Sequence, residues 1–494
     1  MINGVRIKLK VACWLVARIF HVLGLLLIVL AGVEVIPLLA DLAVGNPDWM
    51  VFASAALLTL FLGMSLLLAT ANRSHRLTIR EAYLLTALLW VMLPLFGAIP
   101  FYFSAQNIGI TDAVFESVSG LTTTGSTVLT GLESFPPGLL LWRSMLQWTG
   151  GIGIIVMGVA ILPLLRVGGM QLMKTESSDT SDKVLPRAKE IATGIGATYV
   201  GLTLICAIAY GLGGMTAFDA VNHAMTTIAT GGFSTHDQSF GYFDNPALPW
   251  IAILFMISGA LPFTLYLKSI GRDPLVVFKN GQVRFFLGFC FFMVFVLTVW
   301  AWRTTDLTPF NAFAQSAFNV ISIISTTGFT TTDYTLWGGA SVVFLILTFS
   351  GGCSGSTAGS IKMFRYQLMW SFLKSQLNRL IHPHGVFPVT YDGHEVSSDI
   401  VLSVTAFLGL YLVTWFALSV ALSISGLDFQ TSVSAAATAL TNVGPGLGPV
   451  IGPSGTFGPL PAIAKWLLAG GMLLGRLELF TLFVFITPRF WRDL

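Results

Sequence analysis

The chain has 494 residues, of which 54% are hydrophobic and only 10% charged, with a formal net charge of +3 and a mean hydropathy of +0.80. A soluble domain carries about 25% charged residues. The composition therefore excludes a soluble enzyme or nucleic-acid binder and defines a polytopic membrane protein. Its cysteines, Cys13, Cys206, Cys290 and Cys353, lie scattered in apolar segments without metal spacing, which argues against disulfides and metal clusters.

The first apolar run, about Val11 to Ala40, is too long for a signal-peptide core and has no small-residue cleavage site. Apolar runs of about 20 residues cross a ~30 Å hydrocarbon core as helices. Ten are predicted, near 13–40, 50–70, 82–104, 139–165, 192–213, 247–268, 284–302, 336–372, 398–425 and 461–488. Between spans three and four, five and six, seven and eight, and nine and ten lie shorter semi-apolar stretches: Ala113–Leu121, Ala217–Ile228, Pro309–Ile324 and Phe429–Leu440. These are too short to cross and suit re-entrant pore helices.

Each short stretch runs into a glycine loop. The four loops read Thr122-Thr123-Thr124-Gly125-Ser126, Ala229-Thr230-Gly231-Gly232-Phe233, Ser325-Thr326-Thr327-Gly328-Phe329 and Thr441-Asn442-Val443-Gly444-Pro445. Their key glycines are 107, 96 and 116 residues apart (232−125, 328−232, 444−328), the period of a whole structural unit. Phe115 and Phe318 both lie ten residues before their glycines (125−115, 328−318). The predicted fold is all-α: two leading transmembrane helices (1–75), then four units of helix, pore helix, filter loop and helix around one pore (76–185, 186–278, 279–385 and 386–494).

Non-helical backbone at membrane depth is tolerated only where it lines a cavity or pore. Glycine reaches the φ values that let carbonyls face one axis, and a ring of carbonyl oxygens replaces the hydration shell of a potassium ion. The candidate ion ligands are Thr123, Thr124 and Gly125; Thr230, Gly231 and Gly232; Thr326, Thr327 and Gly328; and Asn442, Val443 and Gly444. Oxygen ligation suits hard cations. The pattern points to a potassium pathway, with K+ as cargo and no cofactor bound by this chain.

Span eight is about 37 residues long, and Gly351-Gly352-Cys353-Ser354-Gly355-Ser356-Thr357-Ala358-Gly359 interrupts it. Freed backbone groups within a span belong beside a water-filled path. The segment from Gly351 through Gly352, Gly355, Ser356, Thr357 and Gly359 to Lys362 is read as a movable intramembrane gate, with close helix packing the competing explanation. Arg476, midway along the last span, is costly there and is a functional candidate by its position. It is read as an electrostatic barrier below the filter, and Glu478, two residues on, faces another way on a continuous helix.

Basic residues fall on one side of the predicted topology. They are Arg6, Lys8, Lys10, Arg18, Arg73, Arg76, Arg80, Arg166, Lys174, Lys183, Arg187, Lys189, Lys268, Arg272, Lys279, Arg284, Lys362, Arg365, Lys374, Arg379, Arg489 and Arg492. This asymmetry places both termini in the cytoplasm. The other side carries Arg143, Arg303 and Lys465 with Asp112, Glu116, Glu133, Asp219, Asp237, Asp244, Asp306, Asp333 and Asp428, which suggests an acidic, cation-attracting mouth. His223, His236, His382, His384 and His394 have no metal spacing and read as packing or solvated groups.

These motifs resemble the Trk/Ktr/HKT superfamily of potassium transporters, in particular the bacterial membrane subunits of the TrkH/TrkG type. The resemblance rests on Gly150–Ile155, Ile161–Pro163, Val167–Leu172, Ala229–His236, Gly351–Gly359, Asn442–Gly446 and Gly475–Glu478, and it covers nearly the whole chain. It implies potassium uptake across a bacterial inner membrane, with symport left open, by a homodimer in which each chain holds its own pore. It implies Gly125, Gly232, Gly328 and Gly444 as filter glycines, 351–359 as the gating loop and Arg476 as the arginine beneath the filter. It further implies a cytosolic TrkA-type regulatory subunit that binds NAD(H) or ATP/ADP. Some relatives with serine at the first filter position favour sodium, so Gly125 supports potassium. The rivals are a sodium-permeable transporter and a membrane-embedded enzyme or scaffold, and no nucleophile–base arrangement supports the latter.

Overall fold

The computed structural model describes residues 2–70, 78–160, 184–271 and 275–492, with side chains for 17–70, 78, 80–157, 190–269, 275–488, 490 and 491. Several residues used above lie outside the described side chains. They are Cys13, Arg6, Lys8, Lys10, Arg73, Arg76, Arg166, Lys174, Lys183, Arg187, Lys189, Arg272, Arg489 and Arg492, with the stretches 161–163 and 167–172.

Among the described residues, seven helices are long and apolar enough to cross a membrane: Ala17–Val44, Trp49–Ala69, Arg80–Phe103, Pro137–Met157, Glu190–Leu212, Gly281–Thr304 and Ser398–Ile424. Their outward faces are apolar, with Phe61 67% and Phe291 76% exposed. Polar groups are turned inward, where Thr122, Thr123, Thr124, Thr230, Thr326 and Thr327 are fully buried. This inside-out distribution is what a lipid solvent selects.

The remaining three predicted spans are broken. Span eight divides, as its glycine run implied, into Ala340–Thr348 and Met363–Ile381 around a non-helical segment. Two further breaks correct the expectation of continuous spans near 247–268 and 461–488. Ala247–Ala260 and Phe263–Ser269 meet at 95°, and Ala462–Arg476 and Phe480–Ile486 meet at 103°. At the first, Pro262 lacks an N–H and its ring opposes helical continuation. At the second, Glu478 and Leu479 take φ of +57° and +52°, which turns the chain out of its helix.

The four short helices form as expected, at Ile110–Leu121, Ala217–Ile228, Pro309–Ile324 and Phe429–Thr441. Three start on side-chain caps. Thr216 Oγ1 accepts from the Asp219 N–H at 3.1 Å, Thr308 Oγ1 from Asn311 at 3.3 Å, and Asp428 from Thr431 at 3.1 Å. The second and third pack in one apolar cluster with Phe240 and Phe329, and the first and fourth in another with Leu468 and Met472. All four aim their C-terminal ends into the glycine loops, so the negative ends of their dipoles face the same region.

Candidate functional site

The four glycine loops share one backbone design. Thr123, Thr230, Thr326 and Asn442 lie at φ of +51°, +50°, +58° and +55°. Two residues later Gly125, Gly232, Gly328 and Gly444 lie at +85°, +76°, +84° and +111°, and the residue between each pair is outside the left-handed region. Alternation of backbone hand turns successive carbonyls toward a common side. Each loop is tied back to its own pore helix. The N–H groups of Thr124, Gly231 and Thr327 each donate over 2.9 Å to Ser119, Thr226 and Ser322, and that of Val443 donates over 3.2 Å to Thr438.

The loops close on one another in a ring. A Cβ added to Gly125 would collide with the carbonyl oxygen of Gly231, one added to Gly232 with that of Thr327, and one added to Gly328 with that of Val443. A Cβ on Gly444 would come within 2.8 Å of the Thr124 carbonyl, which completes the circuit. Each key glycine is thus packed against the carbonyl one residue before the key glycine of the next loop. Loop one also reaches loop four directly. Ser126 Oγ donates to the Gly444 carbonyl at 2.8 Å, and Asn442 Nδ2 donates to Thr124 Oγ1 at 2.9 Å. Asn442, the departure from the threonine pattern, also donates to the Met472 carbonyl at 2.9 Å and so ties loop four to its following helix.

Sequence reasoning missed the side chains that hold loops one and two together. Gln147 is fully buried on the helix after loop one. Its Nε2 donates to the Gly231 carbonyl at 2.7 Å, and its Oε1 accepts from the Phe233 N–H at 3.0 Å, so it grips both sides of Gly232. Arg143 pairs with Glu116 at 2.8 Å, donates to the Ser234 carbonyl at 2.7 Å, and lies over the Phe233 ring at 4.2 Å. Both charges are buried, so removing one partner leaves the other uncompensated. Arg143→Leu is expected to destabilise the protein by about 3–5 kcal/mol, read as a lowered melting temperature of the purified chain in detergent.

The acidic mouth is smaller than its residue list suggested. Glu116 is spent on Arg143, and Asp112 on Lys465 at 2.5 Å. The Asp237 carboxylate accepts from the N–H groups of Gly131 and Leu132 at 2.7 and 3.1 Å. Burial alone would raise Asp219, but the His236 ring 3.4 Å away and hydrogen bonds from Thr235 and Thr216 outweigh it and hold this carboxyl well below the usual range. The Thr431 hydroxyl and N–H likewise lower Asp428, the cap of the fourth pore helix. Carboxylates near helix starts serve the local backbone first. Asp244 and Asp306 remain exposed. His223 is buried and hydrogen-bonded, while His382, His384 and His394 are exposed.

The 351–359 segment lies against loops three and four and the C-terminal end of loop two's pore helix. The Gly351 N–H donates to the Ile361 carbonyl at 3.0 Å, and the Met363 N–H to Gly352 at 3.2 Å, so the interruption folds back on itself. Its backbone repairs the break at Pro262. Cys353 N–H donates to the Ala260 carbonyl at 2.9 Å, and Phe263 N–H donates to the Gly355 carbonyl at 3.0 Å. Gly355 sits at φ +77°, and Ser356 Oγ closes the turn on the Cys353 carbonyl at 2.6 Å. Thr357 Oγ1 lies 3.0 Å from the Ile228 carbonyl of loop two's pore helix. Gly359 N–H donates to Thr326 Oγ1 of loop three at 2.6 Å. A Cβ on Gly359 would lie 2.6 Å from the Thr441 carbonyl of loop four.

Lys362 and Arg476 share one cavity with Gly355, Ser356, Gly359 and Glu478. Lys362 is buried and donates through Nζ to the Ala358 carbonyl. Glu478 forms an ion pair with Arg365, which stacks over Phe407 at 3.8 Å. Arg476 is 3% exposed, and none of its three guanidinium nitrogens has a hydrogen-bond partner among the described residues. A buried arginine without a hydrogen-bond partner is costly in a membrane protein, which keeps Arg476 a functional candidate.

A helical bundle crossing the membrane many times, closed around a ring of glycine-loop carbonyls, is the architecture of an ion transporter and not of an enzyme. Residues 49–492 match the family described as TrkH, cation transport protein, and the chain belongs to that family. It is 47% identical over 488 residues to the Trk system potassium uptake protein TrkI of Halomonas elongata, covering 97% of each chain. It is 38% identical over 481 residues to the potassium uptake protein TrkH of Escherichia coli K12, covering 96% of this chain and 99% of that one. The crystal structure of the potassium transporter TrkH from Vibrio parahaemolyticus superposes with a TM-score of 0.89 at 37% identity, over 96% of this chain and 99% of that one.

Proposed function

We propose that this chain takes up potassium across a bacterial inner membrane, through a filter made by the four glycine loops and a gate made by 351–359. The observation that carries the reading is the ring itself, in which all four key glycines abut the carbonyl before the next one. Such a ring offers many oxygen dipoles at one place, the ligand set that substitutes for water around potassium. The roles of Thr123 to Gly125, Thr230 to Gly232, Thr326 to Gly328 and Asn442 to Gly444 follow from membership in that ring. The names of the relatives, potassium uptake proteins in three organisms, support the same cargo.

The gate reading is supported by the placement of 351–359 against loops three and four and the end of loop two's pore helix, and by its junction with the break at Pro262. A shift of this segment changes contacts on several loops at once. In the same reading the chain works as a homodimer with cytoplasmic termini, gated by a cytosolic nucleotide-binding subunit of the TrkA type. Coupling to protons is compatible with this scheme and is not required by it.

The test is uptake in bacterial cells stripped of their own potassium uptake systems. Cells expressing the chain with its cytosolic partner are expected to grow at limiting potassium and to accumulate K+ in preference to Na+. Accumulation of both ions at equal rates would favour the sodium-permeable reading, and no accumulation of either would set the transport reading aside. Locking the gate gives a second expected outcome. Gly359→Val places side-chain atoms against the Thr441 carbonyl and is expected to reduce K+ influx at least about tenfold, measured at matched protein levels in the membrane.

A further inference from the structure

The pore helices carry a set of side chains that their apolar spacing did not reveal. Nine residues before the key glycine (125−116, 232−223 and 328−319) stand Glu116, His223 and Asn319, each fully buried. All three reach across their loop to the chain that leaves it. Glu116 accepts from Thr127 Oγ1 at 2.9 Å and from the Val128 N–H at 3.0 Å. His223 Nε2 lies 2.9 Å from Ser234 Oγ. Asn319 Nδ2 donates to Thr331 Oγ1 at 3.1 Å, and its Oδ1 accepts from the Thr331 N–H at 3.4 Å. The fourth pore helix has Ala435 at this place, and the neighbouring Ser434 serves instead, its Oγ accepting from the Leu447 N–H at 3.1 Å.

In every loop the partner therefore lies two or three residues beyond the key glycine: Thr127 and Val128, Ser234, Thr331 and Leu447. The chemistry differs while the position is kept. A carboxylate backed by Arg143 serves loop one, an imidazole loop two, an amide loop three and a hydroxyl loop four. Charge-assisted hydrogen bonds are roughly twice as strong as neutral ones, so loop one is held most firmly and loop four least. Pro445, directly after Gly444, fixes φ where the hydroxyl tie is weakest.

We propose that Glu116, His223, Asn319 and Ser434 are positioning residues that brace the outgoing limb of each glycine loop and so set how sharply the ring discriminates between potassium and sodium. The inference rests on the filter reading above. Backbone oxygens prefer the larger ion only while the ring resists contraction, and groups behind a set of ligands fix those ligands in place. A loop that loses its brace can draw inward around the smaller ion.

The experiment compares K+ influx and its inhibition by Na+ for the full chain carrying His223→Leu, Asn319→Leu, His223→Asn or Gly328→Ser. Each leucine variant is expected to lower the preference for potassium by about two- to tenfold, the scale of one lost hydrogen bond, and His223→Asn to recover most of that loss. Leucine variants that fold and keep the parent preference overturn the bracing role if Gly328→Ser still alters it. If Gly328→Ser also leaves the preference untouched, the filter reading itself fails. Should both leucine variants fail to fold, Ser434→Ala decides, since it deletes one hydroxyl: a reduced preference supports the brace, and an unchanged one overturns it.

Discussion

Replacing Gly328 with serine is expected to reduce the preference for potassium over sodium by about tenfold or more. Gly328 sits at φ +84°, and a side chain there would collide with the Val443 carbonyl and crowd Pro445. Holding a non-glycine residue in this conformation costs about 1–3 kcal/mol, and the neighbouring loop must move as well. Because the ring closes on itself, displacement of the Val443 carbonyl alters loop four as well as loop three. The change is therefore expected in the ratio of K+ to Na+ influx. An unaltered ratio in a folded variant would mean that loop three does not contact the ion.

Arg476→Ala is expected to have the opposite kind of effect, raising potassium flux about tenfold or more without loss of stability. A unit charge a few ångströms from an ion path contributes several kcal/mol even at an effective dielectric constant of about 20. The guanidinium has no hydrogen-bond partner among the described residues, so its removal orphans no other charge. Arg365 provides the contrast. It shares an ion pair with Glu478 and stacks over Phe407, so Arg365→Ala is expected to lower the melting temperature by breaking a buried pair. Faster flux with a maintained melting temperature in Arg476→Ala, set against a lowered melting temperature in Arg365→Ala, separates a barrier from a scaffold. Unchanged flux in a well-folded Arg476→Ala variant would assign Arg476 a purely structural role.

The pore helices and glycine loops were legible because their signals are local. A short semi-apolar stretch followed by threonine and glycine has one natural place in a membrane protein, and the four helices formed within a few residues of their expected bounds. The interruption of span eight was legible for the same reason, through its glycine density. The bend in span six had a local signal too, Pro262, whose lost N–H is visible in the sequence. The bend at 477–479 had none. No proline or glycine falls within it, Gly475 just before it is still helical, and Glu478 turns there toward Arg365, 113 residues away.

Charge was the hardest feature to read in one dimension. Glu116, Asp112 and Asp219 looked like a solvated mouth, yet each is committed to a partner brought in by the fold. Arg143 looked like an outer-loop charge and proves to be a buried link between loops one and two. The role of Gln147 depends on the ring closing, because it touches a loop 84 residues further along the chain.

The central claim is that four glycine loops select potassium. It is tested most directly by K+ and Na+ flux into liposomes under an imposed membrane potential. The liposomes hold the purified chain, with and without the cytosolic nucleotide-binding subunit proposed above, and Gly328→Ser is measured alongside. The account predicts potassium-preferring flux in the parent protein and a marked loss of that preference in the variant. Equal K+ and Na+ flux through the parent, or the same ratio in both proteins, would contradict it.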